Sequence, residues 1–77
     1  MVVAYALVEA DTTETDRLLA AVTDIDAVRS AHVVAGDVDL IANVEVADPT
    51  AVSEVVAKGI GGLDEVRSTE TYMTMDG

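Results

Sequence analysis

The sequence contains no cysteine, tryptophan or phenylalanine, and its only aromatic residues are Tyr5 and Tyr72. Without cysteine, the chain has no disulfide framework, no thiol nucleophile and no zinc-thiolate cluster. No stretch approaches the roughly 18 consecutive apolar residues of a membrane-spanning helix, and the first residues lack the basic region of a signal peptide. We therefore expect a cytoplasmic protein with an aliphatic core and no membrane contact.

Basic residues are also scarce. Only Arg17, Arg29, Lys58 and Arg67 stand against fifteen Asp and Glu residues, which gives a net charge of −11. Such a field repels phosphates, so direct nucleic-acid binding is not expected. The acidic residues are spread along the chain rather than grouped in one run, and this distribution resembles that of proteins from salt-loving archaea. An acidic domain from an ordinary cell is the alternative.

What the chain has in abundance is small and branched apolar residues, since 51% of its positions are hydrophobic. With 77 residues, the chain is long enough for one domain, which we predict to span residues 1–77. Domains of this size bury little surface per residue, and oligomerisation is a common remedy.

Apolar periodicity predicts four strands and two helices in the order β-α-β-β-α-β. The strands are predicted at residues 2–9, 28–35, 39–46 and 66–75, and the helices at about 14–23 and 49–58. Thr13 is expected to cap the first helix, and Asp48 and Pro49 to open the second. A left-handed glycine after Lys58 is expected to end the second helix, and Gly36-Asp37 to form the turn between the middle strands.

This order predicts an α+β fold of the ferredoxin-like type, with a four-stranded antiparallel sheet and two helices on one face. The first strand is apolar on both sides: Val3 and Tyr5 alternate with Ala4 and Ala6. Because two helices cover only one face of a sheet, the other face needs a partner. A second copy in a two-fold dimer is the most economical choice.

Catalytic and metal chemistry find little support in the sequence. His32 is the only histidine and has no nucleophile or acidic triad partner nearby, so a structural or interface role is favoured. A single histidine cannot make the usual multi-histidine metal site. The glycine-rich stretch 59–63 carries no basic residue beyond the adjacent Lys58 and matches no phosphate-binding loop. We expect no enzyme activity, cofactor or metal.

Two short motifs carry a family resemblance. Gly36 and Asp39 form a Gly-x-x-Asp turn before an apolar strand, and Val66 is followed by Thr69 and Thr71 in the last strand. Together with the element order and length, these motifs resemble the stand-alone effector-binding (RAM) domain of the Lrp/AsnC feast/famine transcriptional regulators. The resemblance covers essentially the whole chain. It departs at Asp37, where the family usually has an aromatic residue, and at Asp64-Glu65, where a glycine usually precedes the valine.

The resemblance implies a function in transcriptional regulation. Family members bury the open sheet face against another copy, often assemble into rings of dimers, and hold small ligands between dimers near the turn. Their full-length relatives carry an N-terminal helix-turn-helix, whereas Met1 here runs straight into the first strand. We therefore expect an amino-acid-sensing and oligomerisation module without its own DNA-binding domain. Its partners would be copies of itself and full-length Lrp/AsnC regulators.

The residues expected to bind the ligand are Gly36, Asp37, Asp39, Thr69 and Thr71. The ammonium of an amino acid needs a carboxylate, which Asp37 or Asp39 would supply. Its carboxylate needs donors, which backbone N–H groups around Gly36 and the two threonine hydroxyls would supply. The alternative is that Asp39 only accepts hydrogen bonds within its own turn and that the threonines are ordinary strand formers.

Two other functions stay open. The first alternative is an oligomerisation module without a ligand. The second, less favoured, is a small dimeric ferredoxin-like enzyme that uses His32, Arg29 or Arg67. An ACT-type amino-acid domain shares the element order, but its binding glycine typically follows the first strand. The loop at residues 10–13 contains no glycine.

Overall fold

The computed structural model describes residues 1–75 of this protein. Its sheet is built from strands in which inward and outward side chains alternate. The elements follow in the order β1 (Val2–Ala10), α1 (Thr15–Thr23), β2 (Val28–Val33), β3 (Leu40–Val46), α2 (Pro49–Glu54), a π-helical segment (Val55–Ile60) and β4 (Val66–Met73). The strands form one antiparallel sheet in the order β2-β3-β1-β4. The predicted ferredoxin-like α+β fold is confirmed.

The core lies between the sheet and the helices. Every second residue of β1 and β3 is buried on this side, and alanines lie near the middle of both strands, where they let the helices approach closely. Full burial of each larger aliphatic side chain contributes about 1.5–3 kcal/mol. The buried residues are Ala4, Ala6, Val8, Leu18, Val22, Val28, Leu40, Ala42, Val44, Val52, Val56 and Ile60.

Helix α1 begins differently from the prediction. Glu14, and not Thr13, occupies the N-cap position, and its side chain makes no capping hydrogen bond. Instead, the hydroxyl oxygen of Thr12 accepts a hydrogen bond from the Glu14 N–H at 3.0 Å. The threonine that organises this helix start therefore lies one residue earlier than expected.

The start of α2 matches the prediction. Asp48 accepts hydrogen bonds from the N–H groups of Thr50 and Ala51 and from the Thr50 hydroxyl, and Pro49 is the first helical residue. The Thr50 hydroxyl, followed by the two N–H groups, lowers the pKa of Asp48 below its ordinary value of 3.8. Each of these donors favours the charged carboxylate.

The predicted end of α2 is wrong. The helix does not stop at Gly59 but widens into the π-helical segment, and Gly61 follows it in a right-handed conformation with φ −66°. The Gly61 N–H donates to the Val56 carbonyl at 2.7 Å, five residues back. A Cβ on Gly61 would lie 2.7 Å from the Ala57 carbonyl oxygen, so glycine is needed for close approach rather than for a left-handed cap.

No helix within residues 1–75 is long and apolar enough to span a membrane.

Candidate ligand-binding loop and outward sheet face

The connection between β2 and β3 is a loop rather than a tight turn. Strand β2 ends at Val33 and β3 starts at Leu40, so the predicted strands reach too far into the connection. The Val34 N–H donates to the Asp39 carbonyl at 2.9 Å and closes the loop. Gly36 has φ +155°, and it is the one residue with positive φ in the part of the chain that the structure describes. We call residues 34–39 the β2–β3 loop.

Asp39 joins this loop to the end of β1. Its N–H donates to the Val8 carbonyl at 2.9 Å, and its Oδ2 accepts a hydrogen bond from the Ala10 N–H at 2.8 Å. The contact falls where the register between β1 and β4 shifts, next to Glu9. The Asp39 carboxylate is therefore bonded across the sheet, to a residue 29 positions away, and not within its own turn.

The tip of the loop is exposed and rich in unused donors. Within residues 1–75, the N–H groups of Ala35, Gly36, Asp37 and Val38 donate to no protein acceptor. Gly36 and Asp37 are exposed, and nothing lies within 4 Å of the place where a Gly36 Cβ would stand. The same short loop thus contains successive N–H groups without a protein acceptor and an exposed carboxylate, the donor and acceptor types that the two ends of a zwitterion require.

The predicted threonines lie elsewhere on the sheet. Thr69 pairs with Val8 and Thr71 with Ala6, so both lie on the helix-facing side of the edge strand β4. Strand β1 separates β4 from β3, which puts two strand spacings, about 10 Å, between Thr69 and the start of β3. A single chain therefore groups Gly36, Asp37 and Asp39 but does not bring Thr69 and Thr71 to them. The described part of one chain encloses no small-molecule pocket.

The face of the sheet away from the helices is uncovered. Its apolar residues are concentrated on β1, with contributions from β3 and β4. Tyr5 and Tyr72 are cross-strand partners and remain 40% and 54% exposed, so the aromatic residues lie outside the core. The apolar members of this outward sheet face are Val3, Tyr5, Leu7, Ile41 and Tyr72.

Every acidic side chain on the outward faces of the four strands has a partner in its own chain. Glu45 pairs with Arg29 at 2.6 Å and Glu9 with Arg67 at 3.8 Å. The Tyr72 hydroxyl donates to Glu70 Oε1 at 2.8 Å. This hydrogen bond, reinforced by the negative charge of Glu70, raises the pKa of Tyr72 above 10.0.

Sequence reasoning missed two of these contacts. The bond from Ala10 to Asp39 has no local signal, because its partners meet only when β3 pairs with β1. The bond between Glu70 and Tyr72 was accessible in principle, because residues two apart on a strand share a face. The residues of the chain that the structure describes contain no group of three or more His, Cys, Asp or Glu side chains placed to bind a metal.

Comparison with known families identifies the class of this domain. The sequence model of the Lrp/AsnC ligand binding domain matches residues 3–77, and the chain belongs to that family. Its members act in transcriptional regulation, as the resemblance carried by Gly36, Asp39, Thr69 and Thr71 implied. None of the curated proteins matches the sequence closely enough to serve as a relative.

Solved structures show the same fold. TTHA0845 from Thermus thermophilus superposes with a TM-score of 0.93 at 28% identity, covering 100% of this chain and 96% of its own. E. coli AsnC gives a TM-score of 0.89 at 22% identity, and the feast or famine regulatory protein of M. tuberculosis in complex with L-methionine gives 0.83 at 23%. These matches cover 99% and 100% of this chain but only 52% of either regulator, so the chain spans about half of their length.

Proposed function

We propose that this domain senses a small molecule, most simply an amino acid, and transmits the signal through its own assembly in transcriptional regulation. The observation that carries the proposal is the β2–β3 loop, whose six residues combine four N–H groups without a protein acceptor and the carboxylates of Asp37 and Asp39. Membership of a ligand-binding family supports it. The M. tuberculosis neighbour, a complex with L-methionine, indicates the ligand class to test first.

The ligand would be held between copies of the chain. One chain offers a loop but no pocket within its described residues, so a neighbouring copy must supply the remaining walls. The N–H groups of residues 35–38 would bind the ligand carboxylate, and Asp37 or the second oxygen of Asp39 would bind its ammonium. Thr69 and Thr71, which lie too far away in the same chain, would contribute from a neighbour.

The outward sheet face supports a homodimer as the basic unit. Three of the fifteen acidic residues and two of the four basic residues belong to this face, and each of those acidic residues is partnered. The rest of the chain holds twelve acidic and two basic residues. The most nearly neutral surface is therefore the one with exposed tyrosines, where two copies of a chain of net charge −11 repel each other least. Further association of dimers into a ring would bring β2–β3 loops of different dimers together.

Calorimetry combined with light scattering tests the sensing role. At molar KCl, titration with L-methionine and the other common amino acids should produce heat with at least one of them and a change in assembly size. Asp37→Asn removes a carboxylate without touching the bonds of Asp39, so weakened binding would assign the ammonium to Asp37 and unchanged binding would assign it to Asp39. Asp26→Asn, an equal charge change in the exposed loop before β2, is the matched control and should bind normally. Absence of heat with every amino acid would contradict the proposal.

A ligand-independent oligomerisation module is the second candidate, and one observation favours it. The Asp39 carboxylate already accepts the Ala10 N–H, which gives this residue a structural role without any ligand. On this hypothesis, light scattering would show the same assembly with and without amino acids. A monomer under all conditions would contradict both functions.

The setting of this function is proposed from charge. Fifteen acidic residues in 77 suit a cytoplasm rich in KCl, such as that of a salt-loving archaeon, where counterions screen the repulsion. In the same compartment the domain would assemble with full-length Lrp/AsnC regulators, whose helix-turn-helix would supply DNA binding. We expect the domain to co-purify with such a regulator in high salt. We also expect the amount of regulator recovered to change when the ligand is added.

A further inference from the structure

One row of side chains crosses the whole outward sheet face. The pairing register aligns His32 on β2 with Ile41 on β3, Ile41 with Leu7 on β1, and Leu7 with Glu70 on β4. The two ends of this row lie on the two edge strands, and its middle is apolar. His32 and Glu70 are both exposed and, at strand spacings of about 4.8 Å, stand roughly 14 Å apart in one chain.

Both ends of the row have unused hydrogen-bonding capacity. Glu70 receives the Tyr72 hydroxyl on Oε1, while its Oε2 has no partner among residues 1–75. The His32 ring makes no hydrogen bond or ion pair within the same residues. Burying the outward sheet face against another surface would remove water from both groups, and a buried polar group without a partner is costly.

We propose that in the homodimer His32 of each copy donates a hydrogen bond to Glu70 of the other, across a two-fold axis parallel to the strands. This inference rests on the proposed dimer. The axis runs parallel to the strands, midway between the two stacked sheets and level with the gap between β3 and β1. Rotation about it reverses the order of the strands in the facing sheet, so the row is turned end for end. His32 then faces Glu70 of the second copy, and Ile41 faces Leu7.

An axis at right angles to the strands fits the charges less well. When such an axis passes through the row, it lays β4 on β4 and β2 on β2, so that the two Glu70 carboxylates approach each other and each His32 faces its own symmetry mate. The parallel axis instead sets β2, which carries Arg29 and His32, against β4, which carries Glu70 and Arg67, and Arg67 already pairs with Glu9 in its own chain. It also brings Glu9 towards Asp39 of the second copy, but Arg67 and the Ala10 N–H already partner these two carboxylates within their own chains.

Charge reversal tests the pairing. His32→Glu sets two carboxylates against each other, and Glu70→Lys replaces the acceptor with an ammonium that faces the imidazole. Because the contact occurs twice in every dimer, each variant should raise the dissociation constant of the dimer about tenfold or more. The double variant His32→Glu, Glu70→Lys should return the constant close to the wild-type value. Around the other axis the double variant would set the two new carboxylates against each other and the two new ammonium groups against each other, and association would weaken further. Such weakening would overturn the proposal.

Cross-linking gives an independent measurement, because the natural chain contains no cysteine. A thiol cross-linker that bridges about 5 Å suits the interface, because stacked sheets lie about 10 Å apart and the side chains extend into that space. With this reagent a variant carrying both His32→Cys and Glu70→Cys should form a covalent dimer, while either single-cysteine variant should stay unlinked. The two sites are too far apart within one chain for the same reagent to join them.

The results of cross-linking and light scattering test the direction of the two-fold axis and the existence of the dimer separately. Linkage of a single-cysteine variant to itself would contradict the assigned axis, because the parallel axis keeps identical residues of the row apart. A wild-type chain that stays monomeric in light scattering would instead contradict the dimer itself. Failure of this inference and failure of the proposed dimer are therefore distinguishable.

Discussion

Asp39 shows how one side chain can serve both the fold and the candidate site. Its Oδ2 accepts the part-buried Ala10 N–H, so Asp39→Ala would leave that donor without a partner. We expect a loss of about 1–3 kcal/mol in the free energy of unfolding, measured by urea denaturation. Asp39→Asn keeps an acceptor oxygen and should lose less.

Asp37→Ala is the matched control for this prediction, because Asp37 is an exposed aspartate of the same loop. Its free energy of unfolding should stay within about 0.5 kcal/mol of the wild type. Equal losses in the Asp37→Ala and Asp39→Ala variants would show that the Ala10 contact does not stabilise the protein. For the same reason, the ligand experiment uses Asp37→Asn and leaves Asp39 in place.

Asp48 gives a prediction for the dependence of stability on pH. The Thr50 hydroxyl and the N–H groups of Ala51 and Thr50 depress its pKa in the folded state below 3.8. Its charged form therefore stabilises the fold above pH 3.8, and this contribution is lost as the pH falls through the folded-state pKa. Asn also caps helices but does not titrate. Asp48→Asn should gain on the wild type as the pH is lowered, in paired denaturation curves; a pH-independent difference would be inconsistent with the cap.

At the level of elements, the strands were predictable because their signal is local. The period-two alternation of Leu40, Ala42 and Val44 determines which face of β3 is buried without reference to any distant residue. The β2–β3 loop was less predictable, since its limits depend on Asp39 bonding to β1 rather than continuing β3. The prediction for the end of α2 was wrong because a glycine can indicate either a left-handed cap or a close backbone approach. The sequence does not distinguish the two.

The π-helical segment and the glycine that follows it yield a prediction with a control two residues away. A Cβ on Gly61 would lie 2.7 Å from the Ala57 carbonyl oxygen and 3.2 Å from that of Val56, both rigid backbone atoms. Gly61→Ala should therefore lower the free energy of unfolding by about 1–3 kcal/mol. A Cβ on Gly59 would meet only the Ile25 side chain, at 3.5 Å, an ordinary contact.

Gly59→Ala should accordingly be neutral or stabilising by up to about 1 kcal/mol, because alanine favours helical conformations over glycine. Thermal denaturation of both variants checks the pair. A stabilising Gly61→Ala change would mean that the backbone in the wide turn relaxes more easily than these contacts indicate.

At the level of the whole molecule, the candidate site could be predicted only in part. Gly36, Asp37 and Asp39 are close in sequence and therefore close in space. Thr69 and Thr71 entered the prediction through a family resemblance, and β1 separates them from the loop in a single chain. On the proposal that a neighbouring copy completes the site, its second half leaves no periodicity or spacing in one sequence, so residue patterns alone could not have located it.

The total charge gives the final prediction, a stability that rises with salt. Because fifteen acidic residues are balanced by only four basic ones, the acidic side chains repel one another in the folded chain, and unfolding moves them apart. Screening shortens the range of this repulsion from about 30 Å at 0.01 M salt to about 3 Å at 1 M. The free energy of unfolding should therefore increase over this range of KCl and of NaCl alike. Sucrose, which carries no charge, should not reproduce a steep rise at low concentration. Measurements at two protein concentrations separate this effect from dimerisation, because only association depends on concentration. A stability indifferent to salt would mean that the acidic residues are too well separated for their repulsion to oppose folding.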